Sequence, residues 1–221
     1  MTDQPAHARD DSPVLGGKTW LAIVLLATAG YLATAQRTVS WQDSGEFQWR
    51  CLSGDLEGTM GLARAHPLYI AVGSVIARLA GPAMPLALNA FSGLGMAVAL
   101  ATFAAVACRL SGSRLAAVMM AALLGLAHTA WWLSTIAEVY TWSLAALAGE
   151  VYLLLRLLER PNWRWLSLLA LVNGLGLCVH NFALLGLPVY GAVVAVLLAK
   201  RRLPARALLP AGAAWLLGAG L

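Results

Sequence analysis

The sequence predicts an all-α polytopic membrane protein of about seven transmembrane helices with a long first outer loop. Three observations carry that expectation. Of the 221 residues, 11% are charged and 60% hydrophobic, with a mean hydropathy of +0.74, whereas a soluble domain is about a quarter charged. Several apolar runs approach the ~20 residues that cross a bilayer as a helix. None alternates polar and apolar residues as a barrel strand would. The cysteines, Cys51, Cys108 and Cys178, are scattered and odd in number, so neither a disulfide framework nor a metal-ligand spacing is expected.

In chain order, residues 1–18 form a tail and 19–221 the membrane module, with spans expected at 19–36, 86–108, 115–134, 139–157, 165–180, 182–199 and 207–221. The outer loop covers 37–85, and within it "RAHPLYIAVGSVIARLAGP" suggests a short helix lying at the interface. The last span reaches Leu221 without a polar flank, so the module is expected to be truncated at its C-terminal end. "LATAQ" at 32–36 resembles a signal-peptidase site, but the leader, with Asp3, Asp10 and Asp11, is a poor basic n-region.

Basic residues orient the spans. Arg9, Lys18, Arg109, Arg114, Arg156, Arg160, Arg164, Lys200, Arg201, Arg202 and Arg206 fall on one side. Only Arg37, Arg50, Arg64 and Arg78 fall on the other. The positive-inside rule therefore puts the N-terminus in the cytoplasm and the first loop outside. A bacterial plasma (inner) membrane is the expected location. The net charge of +5 is thus a topology signal, and no nucleic-acid partner is expected.

Ionisable groups beside membrane spans are costly and mark function. Asp43, Glu46 and His66 lie in the first outer loop, Glu138 at the next outer connection, and His180 with Asn181 at the third. Trp41, Trp49, Trp131, Trp132, Tyr140 and Trp142 rim this polar ring, which reads as an external cavity or as an interfacial aromatic belt. Asp43 and Glu46 also suit a helix cap with its acidic partner. His128 suits a hydrogen-bonded packing residue, Glu150 an interspan pair, and Asn89 and Asn173 helix-packing glue. An outer carboxylate can deprotonate an acceptor hydroxyl as it attacks a sugar carbon. Arg64, His66, His180 and Asn181 are candidates to hold a leaving phosphate. No phosphate loop, Ser-His-Asp grouping or His-Glu-x-x-His signature occurs, and two carboxylates without further spacing make no metal site.

"WQDSGEF", "AHPLY", "NAFSGLG", "WWLSTIAEVYTW" and "GLGLCVHN" follow one another in the order and spacing of a known family. The chain resembles the protein O-mannosyltransferase-like membrane family, a branch of the GT-C glycosyltransferases, over about residues 20–200. The resemblance implies a GT-C-like fold with a seven-helix module. It also implies transfer of mannose or a similar hexose, with inversion, from a polyprenyl-phosphate donor to a protein hydroxyl or other acceptor outside. The donor lipid, the bilayer and an exported protein acceptor are the implied partners, with the lipid-linked sugar as substrate and no further cofactor. Asp43 matches the family's base with Glu46 beside it, and His66-Pro67, Glu138-Val139-Tyr140 and His180-Asn181 match its other elements. Family members read His-Pro-Pro-Gly-Tyr-Pro-Leu-Tyr where this chain runs from His66-Pro67 directly into Leu68-Tyr69. The competing readings are a transporter or lipid flippase, which would place polar or broken helices at the bilayer midplane, and a non-catalytic remnant or scaffold.

Overall fold

The computed structural model describes residues 14–59, 61 and 65–220, and the regular elements among them are all helical. They are α1 (Gly17–Thr34), α2 (Gln42–Ser53), α3 (Pro67–Ala80), α4 (Met84–Ser111), α5 (Arg114–Leu126), α6 (His128–Thr135), α7 (Tyr140–Glu159), α8 (Trp163–Val179), α9 (Leu187–Ala199) and α10 (Leu208–Ala219), joined in places by short 3-10 turns. α4 is the hub, with α1, α3, α5, α6 and α7 packed around it. Its small residues make that possible. A Cβ on Gly93 would lie 2.9 Å from the Ser134 carbonyl oxygen and 3.1 Å from Tyr31 Cβ, and one on Gly95 would lie 2.9 Å from Thr141 Oγ1. With no hydrophobic drive between helices in lipid, such close approach supplies the packing contact. Gly174 of α8 and Gly218 of α10 do the same for each other's helices, each Cβ position standing 2.5–2.6 Å from a backbone oxygen opposite.

Among the described residues, four stretches are long and apolar enough to cross a membrane: Gly17–Thr34, Pro67–Ser111, Tyr140–Glu159 and Asn181–Ala199. A fifth is added if α5 and α6, bent by 66°, form one broken span. α8 and the Ala205–Ala219 stretch are shorter apolar helices, so length and composition do not by themselves return seven spans. The 45-residue stretch Pro67–Ser111 is no single rod. A straight helix would separate Tyr69 from Ser92 by roughly 35 Å, yet their hydroxyls are 3.2 Å apart. The chain folds back at Gly81, whose φ of +53° suits glycine. α3 therefore packs against α4, with contacts to α2 and α8 as well.

The expected continuous span at 115–134 is broken at Ala127, in extended backbone between α5 and α6. The Gly125 carbonyl receives the Tyr31 hydroxyl at 3.0 Å, which satisfies an acceptor at the helix end. A Cβ on Gly125 would lie 2.8 Å from Leu100 Cδ1, so the bend also lets α5 close on α4. His128, expected to be a packing residue, is instead exposed at the first turn of α6. Glu150, inside α7 and expected to pair with an arginine or asparagine of a neighbouring span, accepts from Tyr190 Oη of α9 at 2.5 Å and also bonds the Asn173 side chain of α8. Asn89 accepts from Gln48 Nε2 at 3.0 Å and donates to the Gln36 carbonyl at 2.6 Å, and Asn173 bridges Ala183 and Trp215. At the opposite end of α7, Glu159 takes Arg109 and Arg156. Cys51, Cys108 and Cys178 are free and buried.

Candidate active site

The stretch that opens the first loop folds as α2, and helical spacing decides what each residue does. Asp43, Glu46, Phe47 and Arg50 stand at intervals of three, one and three, which puts them on one face. That face turns to a cavity of about 360 Å³. Ser44, Gln48 and Cys51 form a second, buried face against the helices behind. Gly45 has its own reason: the Ser40 carbonyl oxygen passes 2.3 Å from where its Cβ would be, so the connector can fold back onto the helix only over glycine. No side chain caps the start of α2, and Asp43 lies in its first turn, so the acid-pair cap expected from the spacing does not form. Both acids are exposed.

The other walls come from distant segments. His66 ends the loop in left-handed backbone (φ 50°) directly before Pro67, the first residue of α3. Val139 and Tyr140 come from the entry to α7, and His180, Asn181 and Phe182 from the turn after α8. Six of the eight residues singled out in the sequence therefore line one cavity: Asp43, Glu46, His66, Tyr140, His180 and Asn181. Glu138 does not line it. It lies 6% exposed behind α2, where Ser44 Oγ donates to its Oε1 at 2.8 Å, while its Oε2 has no hydrogen-bond partner. Its backbone is pinned too, since its N–H donates to Ser92 Oγ at 2.8 Å. Burial raises the Glu138 carboxyl above the usual range; the Ser44 bond opposes this and Asp43 adds to it. Arg64 lies outside the described residues.

Two imidazoles stack in the cavity, His66 on His180, with centroids 5.1 Å apart and planes at 27°. Their backbone contacts fix opposite tautomers. His66 Nδ1 sits 2.7 Å from the Val179 carbonyl, which can only accept, so Nδ1 carries the proton and Nε2 is the free acceptor. His180 Nδ1 accepts from the Phe182 N–H at 3.1 Å, which leaves the proton of neutral His180 on Nε2. Burial lowers both pKa values; for His66 the Val179 carbonyl, Glu46 and Asp43 oppose this while Arg50 adds to it, and for His180 the neighbouring His66 adds to it. The wall thus offers one acceptor and one donor from neutral rings at pH 7.

A depressed histidine pKa means that the folded protein binds fewer protons than the unfolded chain, so stability from neutral His180 is complete above the ordinary histidine value and drains as pH falls through the lowered one. Protonating Nδ1 would also turn it against the Phe182 N–H. His180→Asn keeps an acceptor at that place. It is expected to flatten the loss of Tm in detergent between about pH 7 and 5. An unchanged acid limb in that variant would assign the effect to another group.

The tryptophan rim expected from sequence is not what lines the cavity. Trp41, Trp49 and Trp132 are 91%, 66% and 55% exposed. Trp131 packs edge-on against Tyr31, and Trp142 lies on Phe91. The aromatic wall is Phe47, Tyr140 and Phe182 instead. Arg50, which the sequence presents only as one of four basic residues on the outer side, is also a wall residue. It is 3% exposed, and its guanidinium donates to the carbonyls of Asp55, Leu56 and Ala65 at 3.2, 3.2 and 2.6 Å. The signal that finds it is its seven-residue spacing from Asp43.

A second cavity of about 300 Å³ shares Tyr140 and Phe182 with the first. Its walls are apolar, with Met96, Leu133, Leu144, Leu147 and Ala183 among them, and Glu150 and Ser143 as polar groups. Gly176 keeps it open, since a Cβ there would lie 3.2 Å from Ala146 Cβ and 3.3 Å from Glu150 Oε1. Among the described residues, no three His, Cys, Asp or Glu side chains are grouped to hold a metal ion.

No curated protein and no solved structure matches the chain. A family model, the Protein O-mannosyl-transferase TMEM260 N-terminal domain, matches residues 43–203. That match begins at the acid of α2, takes in every described wall of the cavity and spans well over half of the sequence, and the chain belongs to this family.

Proposed function

We propose that the chain is the membrane module of a GT-C-type glycosyltransferase that moves a hexose, such as mannose, from a polyprenyl-phosphate donor to a hydroxyl acceptor on the outer face of a bacterial plasma membrane. The observation that supports this most is one cavity that gathers acids, imidazoles and an amide from three separate outer connections. In this reading α8, α9 and α10 complete seven spans with α1, α4, the bent α5–α6 pair and α7, and the N-terminus is cytoplasmic. Asp43 removes the acceptor hydroxyl proton as that oxygen attacks the anomeric carbon from the face opposite the phosphate. The bond from that carbon to the phosphate oxygen breaks, its electron pair leaves with the phosphate, and the configuration inverts. Glu46 orients the acceptor or sugar hydroxyls. Arg50, the Nε2–H of His180 and Asn181 meet the departing phosphate charge, as fixed donors aimed at developing negative charge do.

The apolar cavity beyond Tyr140 and Phe182 suits the first isoprene units of the donor lipid. Gly176→Leu, which fills it, is expected to raise KM for a long-chain polyprenyl-phosphate sugar about tenfold or more, by removing a few buried methylenes' worth of contact. A donor with a single isoprene unit would be far less affected. Equal loss with both donors would remove the tail from this groove. The function itself is tested by transfer from labelled polyprenyl-phosphate hexoses in membranes that contain the inserted chain. Transfer to a hydroxyl acceptor with inversion supports the proposal; retention of configuration, or no transfer with any such donor, overturns it.

A further inference from the structure

Four helix ends meet far from the cavity. α7 begins at Tyr140 and α8 ends beside His180, and both residues are cavity walls. At 1.5 Å per residue these helices of 20 and 17 residues carry the turn between them about 25–30 Å away, one hydrocarbon thickness. α10 runs in the same direction as α8, since Asn173 accepts the Trp215 N–H and Cys178 donates to the Gly218 carbonyl, so it starts at that far end too. Leu157 and Leu166 flank the α7–α8 turn, Leu197 and Leu203 lie on either side of the start of the α9–α10 turn, and all four are buried in one apolar cluster with Ala207.

The two turns carry Arg164, Lys200, Arg201, Arg202 and Arg206, all exposed. Among the described residues the acid at this end is Glu159, and Arg109 and Arg156 already pair with it. The cations stand on an ordered backbone. The N–H groups of Lys200, Arg201, Arg202 and Leu203 donate to the carbonyls of Val196, Leu198 and Leu197. Arg201 has a left-handed backbone, φ 55°, which side chains other than those of Asn and Asp seldom adopt. That twist lets Leu203 enter the core while the three cations before it stay outside. The Arg164 guanidinium lies 5.6 Å over the ring of the half-exposed Trp163.

The surroundings select the kind of anion. Val196 of α9 and Leu209 of α10 are exposed beside the cations. A soluble anion would meet the charges and leave this apolar flank wet, whereas a phospholipid brings acyl chains to cover it. Basic residues just outside membrane spans attract anionic headgroups, and basic sites between spans hold them. We infer that the paired turns bind the phosphate of an anionic phospholipid in the leaflet opposite the cavity, with its acyl chains along α9 and α10. The headgroup ties the α7–α8 turn, whose two helices bear Tyr140 and His180 at their other ends, to the α9–α10 turn. This contact stands whether or not the cavity transfers sugar, and its test involves no transfer.

The whole chain, purified in a neutral detergent, is titrated with dilauroyl phosphatidylglycerol, with dilauroyl phosphatidylcholine and with glycerol 3-phosphate while its Tm is followed. Phosphatidylglycerol is expected to raise Tm by several degrees, as a ligand of the folded state does, at concentrations where the other two leave it unchanged. Arg201→Gln/Arg202→Gln should weaken the apparent affinity about tenfold or more, given what each basic residue near an anionic surface contributes. Arg37→Gln/Arg78→Gln, which removes two exposed cations outside these turns, should change it less than about twofold. An equal rise with phosphatidylcholine would remove the charge, an equal rise with glycerol 3-phosphate would make the ligand a soluble anion, and equal weakening by both variants would make the attraction diffuse. Each of these overturns the inference. The parent chain also gives a measurement that needs no variant. Extracted from vesicles of equal phosphatidylglycerol and phosphatidylcholine and washed in detergent, it should retain the anionic lipid about fivefold or more over the neutral one. Retention without that preference overturns the inference as well.

Discussion

Asp43→Asn is expected to lower kcat for sugar transfer by at least ~10²-fold, the scale of a lost general base, with the protein inserted and folded as before. The substitution is nearly isosteric and removes the charge alone. Asp43 is exposed and carries no part of the seat of α2, which rests on Ser44, Gln48 and Cys51. A loss of activity therefore reports chemistry rather than a displaced helix. Glu46→Gln, one turn further along the same face, is expected to raise KM more than it lowers kcat, as for a residue that binds ground state and transition state alike. Transfer rates in membranes at matched protein levels separate the two. A larger kcat loss for Glu46→Gln than for Asp43→Asn would exchange their roles, and full activity in both would remove the carboxylate base altogether.

How far the sequence leads depends on which force sets each feature. Hydrophobic run length places helices reliably, because a span must satisfy all its backbone groups internally; α1, α4 and α7 stand close to where the apolar runs put them. Run length is blind to a break that other helices compensate. Nothing apolar or polar at Ala127 marks the bend between α5 and α6, because the freed Gly125 carbonyl is answered by Tyr31 from almost a hundred residues earlier. It is equally blind to the α3–α4 fold-back, where one glycine with positive φ turns an apolar stretch onto itself.

The cavity was legible for a different reason. Polar residues in a membrane protein have few tolerable places, so Asp43, Glu46, His66, His180 and Asn181 could be gathered by cost alone. Costs of this kind do not say which way a side chain points. Tryptophans suit a cavity rim and a lipid interface equally, and the exposed Trp41 and Trp49 do not line the cavity. Glu138 was indistinguishable by type from a wall residue, yet it lies one layer behind the wall. Arg50 counted only as a charge until the helical spacing of α2 put it beside the acids.

That placement of Glu138 leads to the second large effect. Its Oε1 accepts the hydroxyl of Ser44, the residue next to Asp43, while Ser92 holds its backbone on α4's side. The chain of contacts runs from α4 through Glu138 and Ser44 to α2, so it sets where Asp43 stands without touching substrate. Ser44→Ala leaves a buried carboxyl oxygen without its donor, at a cost of ~1–3 kcal/mol. It is expected to lower kcat about 10²-fold, because a shift of ~1 Å in a reacting group costs that much, with KM changed little. Glu138→Gln keeps an acceptor for Ser44 and removes the ionisable group, whereas Glu138→Ala removes both. Glu138→Gln should therefore retain activity to within about tenfold, while Glu138→Ala falls with Ser44→Ala, and the Ala pair combined should be no worse than either alone, as for two residues acting through one contact. If Glu138→Gln is as damaging as Glu138→Ala, the charge itself matters. In that case Glu138 reaches the substrate in the working enzyme and belongs to the chemistry, not to the seat of α2.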